Sequence, residues 1–164
     1  MSKTEGNLKA AFAGESQANR KYLAFAQKAD QEGYPQVARL FRAVAAAETV
    51  HAHSHLRALG GVGGTADNLK EAISGETYEF KTMYPPMIAE AEAEGHDAAA
   101  HSFSFANHVE KVHAELYKKV LDSLADPTPV DYYVCSVCGH TVEHQAPHSC
   151  PVCGSMAKAF NKID

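Results

Sequence analysis

The sequence predicts a mainly α-helical protein, an antiparallel four-helix bundle followed by a small C-terminal module of β-strands and cysteine knuckles. Three observations carry that prediction. Apolar residues recur at helical spacing in four long segments, one pattern of Glu and His occurs twice, and all four cysteines fall within residues 135–164. The 164 residues suffice for one domain plus a small module. With 45% hydrophobic and 21% charged residues the chain can build a core, which excludes a disordered polymer. A formal charge of −5 without any basic cluster argues against a nucleic acid or an acidic membrane as partner. No stretch approaches the ~18 apolar residues of a membrane span. The start, MSKTEGNLKAAFAG, lacks the apolar run of a secretory signal, so the expected location is cytoplasmic.

The first helix is traced by Leu8, Phe12, Ala18, Tyr22, Phe25 and Ala29, and the EGYP stretch at 32–35 closes it. Val37, Phe41, Val44, His51, His55 and Leu59 trace the second, ended by Gly60 and Gly61; the short link makes the two antiparallel neighbours. Leu69, Ile73, Phe80, Met83 and Met87 mark a third, which Pro85 and Pro86 are expected to break or kink because neither supplies a backbone N–H. Phe103, Ala106, Val109, Leu116, Val120 and Leu124 mark the fourth. ADPTPV, with Pro127 and Pro129, reads as a stiff linker to a separate module.

The chain also repeats itself. Gly14-Glu15-Ser16 is echoed by Gly75-Glu76-Thr77, Glu48-Thr-Val-His51-Ala by Glu110-Lys-Val-His113-Ala, and Glu32-Gly33 by Glu94-Gly95. Glu15 to Glu48 spans 33 residues and Glu76 to Glu110 spans 34, which points to two similar helical hairpins. Each echoed Glu lies on an apolar stripe. Glu15 is seven after Leu8, Glu48 seven after Phe41, Glu76 seven after Leu69 and Glu110 seven after Phe103, so all four should point inward.

An uncompensated buried carboxylate is strongly unfavourable, and no Lys or Arg sits near these four on the stripes. The remaining compensations are protons or metal. In the E-x-x-H pairs Glu48/His51 and Glu110/His113, a carboxylate and an imidazole share one helix face and can reach one ion. One Glu from each of two helices with E-x-x-H from each of the other two is the ligand pattern of di-iron carboxylate bundles. Oxygen-rich ligation with two imidazoles suits iron or manganese better than zinc. Any one of these Glu alone would be read as a solvated surface residue; four duplicated ones with matching His are not. Glu79, three after Glu76, adds a fifth carboxylate where the first repeat has Ala18, and makes the two metal positions unequal unless it lies at the surface. His55 aligns with Tyr117 and reads as a core residue, while His53, His96, His101, His108, His144 and His148 read as solvated.

Cys135, Cys138, Cys150 and Cys153 form C-x-x-C, eleven residues, C-x-x-C, each pair followed by Gly. Two such knuckles place four thiolates around one tetrahedral ion, zinc or iron by spacing alone, and the metal supplies most of the stability of so small a module. Disulfides are disfavoured in a cytoplasmic chain.

Taken together, AFAGES, ETVHA, GETYEFKTMYP, EKVHAELY, CSVCGH and CPVCG resemble the rubrerythrin family across nearly the whole chain. The resemblance implies a ferritin-like four-helix bundle over residues 1–128 and a rubredoxin-like module over 129–164. It implies a mononuclear iron on Cys135, Cys138, Cys150 and Cys153, and two non-haem irons bridged by Glu48 and Glu110. One of these is completed by Glu76 and His113, the other by Glu15 and either Glu79 or His51, between which the family's iron moves with oxidation state. Zinc or manganese can replace iron in a given preparation. Tyr22 and Tyr84 match tyrosines that hydrogen-bond the ligating carboxylates, and His140 departs from the Tyr more usual after the first knuckle.

The implied activity is reduction of hydrogen peroxide to water in oxidative-stress defence, with Glu79 and His51 controlling the reactive state. Electrons come through the four-cysteine iron from a rubredoxin or an NAD(P)H-dependent reductase. The alternatives are a ferritin-like ferroxidase, which needs no electron-input module, and a structural zinc protein, which needs no fifth carboxylate. Finally, helices of ~25 residues are ~38 Å long whereas the residues from Leu59 to Leu69 reach ~34 Å at most, so the chain is expected to form a homodimer with exchanged helix pairs. The resemblance further implies that the four-cysteine iron of one chain serves its partner's di-iron site.

Overall fold

The structure is a computed structural model that describes residues 2–126 and 128–164. It divides into two compact units, Met1–Gly63 and Gly64–Asp164. Pro127 of the expected linker lies outside the described residues.

The first unit is a helical hairpin of α1 (Lys3–Gln31) and α2 (Pro35–Ala58). Ser2 caps α1 by accepting from the Glu5 N–H at 3.1 Å, satisfying one of the donors a helix start leaves free. Between the helices Gly33 takes a left-handed φ of 81°, and the Tyr34 N–H returns to the Ala29 carbonyl at 2.8 Å. The interior is lined by alanine: Ala26, Ala29 and Ala38 form a buried cluster with Phe41 against it, and Ala45 and Ala52 are buried further along α2. Small side chains let the two backbones approach closely, and one polar residue is sealed between them. Asn19 donates to the Ala45 carbonyl (2.7 Å) and to Thr49 Oγ1 (2.8 Å), clamping α1 to α2.

The second unit holds α3 (Thr65–Tyr78), α4 (Tyr84–Ala93) and α5 (Asp97–Asp122), then the module. The turn before α5 repeats the first hairpin's, with Gly95 at φ 73° and the His96 N–H on the Ala91 carbonyl at 2.8 Å. Pro85 and Pro86 do not break the third helical segment. Glu79–Met83 is a π-helical turn joining α3 to α4, and the prolines occupy the first positions of α4, where a missing N–H removes little. Sequence spacing explains the turn. Glu15 to Tyr22 is seven residues and Glu76 to Tyr84 eight, whereas Gly33 to Glu48 and Gly95 to Glu110 are both fifteen. The one extra residue of the second repeat therefore falls between Glu76 and Tyr84, and the wider turn absorbs it.

The module is a three-stranded antiparallel sheet in the order β2-β1-β3, with β1 Tyr132–Cys135, β2 Thr141–Glu143 and β3 Phe160–Ile163. Tyr133 pairs with Val142 on one side and Lys162 on the other. Its core is Cys135, Cys150 and Phe160. β2 lies on α5 within this unit: Lys119 pairs with Glu143, and Thr141 meets His113. No helix of the described residues is long and apolar enough to cross a membrane.

Candidate metal centres

The duplicated motif becomes two triads, one in each unit. On α1 and α2, ligand atoms of Glu15, Glu48 and His51 converge within 4.8 Å of one another; on α3 and α5, those of Glu76, Glu110 and His113 do the same. The E-x-x-H spacing acts alike in both: His51 Nδ1 lies 2.9 Å from Glu48 Oε2, and His113 Nδ1 lies 2.6 Å from Glu110 Oε2. The four Glu lie on the inner stripes of their hairpins, half-buried and not sealed, with Glu48 and Glu110 the more enclosed of each E-x-x-H pair. The two imidazoles differ more. His51 is 56% exposed and His113 25%.

The donor sets call for a cation. Burial, then a hydrogen bond with Glu110 and the charges of Glu110 and Glu79, raise Glu76 from 4.5 to about 7. Burial and the Glu110 charge raise Glu79 as well, against a lowering from His113. Three carboxylates and one imidazole thus crowd a patch with no Lys or Arg among the shifting charges, and a divalent ion relieves what protons otherwise must.

Glu79 stands at the head of the π-turn, electrostatically near Glu110 and His113 but outside the triad. Tyr84 begins α4 and its hydroxyl is raised by burial and by the Glu79, Glu110 and Glu76 charges, which places it beside the carboxylates. The Tyr22 ring packs against Phe25 and Phe41, ring centres 6.2 and 6.1 Å away. His55 is half-buried, and His53, His96, His101, His108, His144 and His148 are exposed, as expected.

In the module the four sulfurs also fall within 4.8 Å of one another, Cys135 to Cys153 at 3.7 Å and Cys138 to Cys150 at 3.6 Å. A disulfide needs ~2 Å. A tetrahedron with metal–sulfur bonds of ~2.3 Å has edges of roughly 3.8 Å, so the cradle fits one tetrahedral ion. The knuckles match one another. Gly139 (φ 82°) and Gly154 (φ 75°) donate to the Cys135 and Cys150 carbonyls, and the turn brings the His140 and Ser155 N–H groups onto the Cys138 and Cys153 sulfurs. Burial pushes the Cys138 thiol up, while hydrogen bonding with Ser155 draws Cys153 down to about 6, the thiolate a metal binds. His140 is buried edge-on to Phe160, and burial followed by the nearby His113 lowers its pKa.

Two residues at these sites carry no spacing signal. Asn19 sits one turn beyond Glu15 and holds the part of α2 that bears Glu48, and Thr141 of the module reaches His113 Nε2 at 3.0 Å. An uncharged amide on an apolar stripe is the one hint that marks Asn19; nothing in the sequence marks Thr141.

Comparison with known proteins agrees with this construction. Residues 6–121 match the family described as Rubrerythrin, and residues 133–161 match the rubrerythrin rubredoxin-like domain. Rubrerythrin-2 of Clostridium acetobutylicum is 35% identical over 93% of this chain and 92% of its own length. Nigerythrin of Nitratidesulfovibrio vulgaris is 36% identical over 90% of this chain and 80% of its own. A solved structure of nigerythrin, fully reduced and all ferrous, aligns at a TM-score of 0.61 and 34% identity over 99% of this chain and 88% of that one. Two matches in this order, over nearly all of a chain whose helices carry the duplicated Glu/His set and whose cysteines form a four-sulfur cradle, mean that the protein belongs to the rubrerythrin family, as an iron-binding oxidoreductase with a ferritin-like helical region and a rubredoxin-like electron-transfer module.

Proposed function

We propose that the protein is a hydrogen peroxide reductase, converting H2O2, two protons and two electrons into two waters, and that its electrons come from a rubredoxin or an NAD(P)H-dependent reductase. The observation that carries this reading is the presence, in one chain, of a Glu/His site and a four-cysteine site held against each other through β2 and α5. A storage protein has no use for the second. Iron bound in the helical region supplies the two electrons that peroxide accepts.

The chain's part is to hold that iron and to arrange charge. Glu48 and Glu110 would be shared between two irons, Glu76 and His113 would hold one of them, and Glu15 with either Glu79 or His51 would hold the other. The 56% exposure of His51 and the place of Glu79 beside the second triad but outside it support alternating use. Tyr84 holds a hydroxyl proton beside the carboxylates, and Tyr22 is assigned the same role by correspondence. Cys135, Cys138, Cys150 and Cys153 hold the electron-input iron, and free thiols suit a reducing cytoplasm. The functional division lies at 128/129.

The active species is read as a homodimer with exchanged hairpins. The link between α2 and α3 is residues 59–64, at most ~22 Å, against ~36 Å for α2, and light scattering that returns a monomer would overturn it.

The reaction is tested on iron-loaded protein, reduced anaerobically and mixed with one equivalent of peroxide. Fast loss of the ferrous state with stoichiometric peroxide consumption supports the reading. Reoxidation no faster than with oxygen replaces it with ferroxidase chemistry.

A further inference from the structure

Thr141 on β2 makes two hydrogen bonds that fix each other. Its Oγ1 lies 3.1 Å from the Gly139 carbonyl and 3.0 Å from Nε2 of His113 on α5. A carbonyl only accepts and a hydroxyl has a single hydrogen, so the Thr141 O–H goes to Gly139 and its oxygen must accept from His113. His113 therefore carries its hydrogen on Nε2. In the metal-free chain a second hydrogen lies between Nδ1 and Glu110 Oε2, 2.6 Å apart, with Glu76 Oε2 at 3.9 Å; an ion entering among these atoms displaces that hydrogen and leaves the Nδ1 lone pair to it. Only this tautomer offers Nδ1 to an ion held between the carboxylates.

On its other side Thr141 is continuous with the first knuckle. Gly139 follows Cys138, and its N–H donates to the Cys135 carbonyl at 2.8 Å. The contact is braced by the Lys119–Glu143 pair and by Val109, which packs beneath Gly139. The matching histidine of the first repeat, His51, has Glu48 as its hydrogen-bond partner and is more than half exposed.

We propose that Thr141 is a positioning residue joining the chain's two metal sites: it holds His113 in the Nε2–H form with Nδ1 toward Glu76 and Glu110, and it completes a path of two hydrogen bonds from the Cys135–Gly139 knuckle to that ligand. The inference rests on reading the triad as a metal site. Iron in the two sites would supply the one-electron couple at each end, and the path itself asks for no bond or proton to change in the bridge.

The test uses the full chain with Thr141→Val, which keeps the shape and loses the hydroxyl, and Thr141→Ser, which restores it. The probe is zinc, added after the four-cysteine site is filled. Zinc affinity of the triad should fall 10- to 100-fold in Thr141→Val and recover in Thr141→Ser, as for loss of an outer partner of a ligating His. In the zinc-loaded, 15N-labelled protein the His113 Nε2 proton should exchange slowly in wild type and Thr141→Ser and rapidly in Thr141→Val. In iron-loaded protein, reoxidation of the four-cysteine iron after peroxide should slow about tenfold with its potential unchanged. Should Thr141→Val not fold, Thr141→Ala is read by the same exchange measurement. Wild-type zinc affinity and a protected Nε2 proton in the hydroxyl-free variant overturn the proposal. A wild-type protein that binds zinc as described but leaves peroxide intact sinks the peroxidase reading and leaves the zinc and exchange results standing, so the two failures are distinguishable.

Discussion

Glu76 on α3 and Glu110 on α5 bring their carboxyl groups into one patch, and Glu76 keeps its proton up to a pKa of about 7. Burial is the larger cause and the neighbouring carboxylate the next. Each helix brings its carboxylate to the inner stripe for reasons of pattern alone. Together they store a repulsion that a proton or a cation relieves.

The metal-free protein should therefore become less stable as pH rises, opposite to the usual carboxylate. Between the ordinary value of 4.5 and about 7 the folded state keeps a proton that the unfolded chain has released, so stability falls across that window and levels off above it. Allowing for solvent screening, the loss from pH 4.5 to 8 is about 1–2 kcal/mol, read from urea midpoints. Glu76→Gln should flatten the profile. With zinc the sign reverses, because the ion displaces the proton and its affinity rises with pH.

The two histidines should separate binding from turnover. His113, enclosed and bonded at both nitrogens, anchors its ion, so His113→Ala should lower metal affinity by on the order of 100-fold. His51 is exposed, so His51→Ala should leave iron content near wild type and slow peroxide turnover at least tenfold. Metal analysis beside stopped-flow kinetics checks both, and unchanged turnover in His51→Ala would remove its assigned role.

Asn19→Ala should destabilise the first hairpin by about 1–3 kcal/mol, since it leaves Thr49 short of a partner and opens a gap between α1 and α2. Denaturant unfolding measures the loss. A change below ~0.5 kcal/mol would show that the clamp contributes little.

Cys150→Ser should abolish the visible absorption of the ferric four-sulfur site and unfold the module, whose core consists largely of ligands. The helical circular dichroism should stay, because α1 and α2 pack on alanines with no metal involved. Loss of both signals would mean that the module supports the helices.

Much of this was readable beforehand because it depends on period and spacing. Glu48 and His51 share a helix face whatever surrounds them, and Cys135 with Cys138 can close on one ion only as a knuckle. Pro85 and Pro86 mark where the third segment changes but not how, because the π-turn ahead of them keeps the helix going while it interrupts the regular ladder. That the Tyr22 ring lies beside those of Phe25 and Phe41 is a tertiary fact that spacing does not encode. Asn19 and Thr141 act through hydrogen bonds between segments 26 to 30 residues apart, and no periodicity reports such a contact.

The π-turn also decides where the two hairpins stop being alike. They share glycine turns, Glu and E-x-x-H, and the second has one more residue between Glu76 and Tyr84. In an unbroken α-helix one more residue swings everything before it by ~100° and takes Glu76 off its stripe. Confined to Glu79–Met83, it leaves both flanks in register and sets a carboxylate where the first hairpin has Ala18. One widened turn thereby gives a near-symmetrical chain a left and a right.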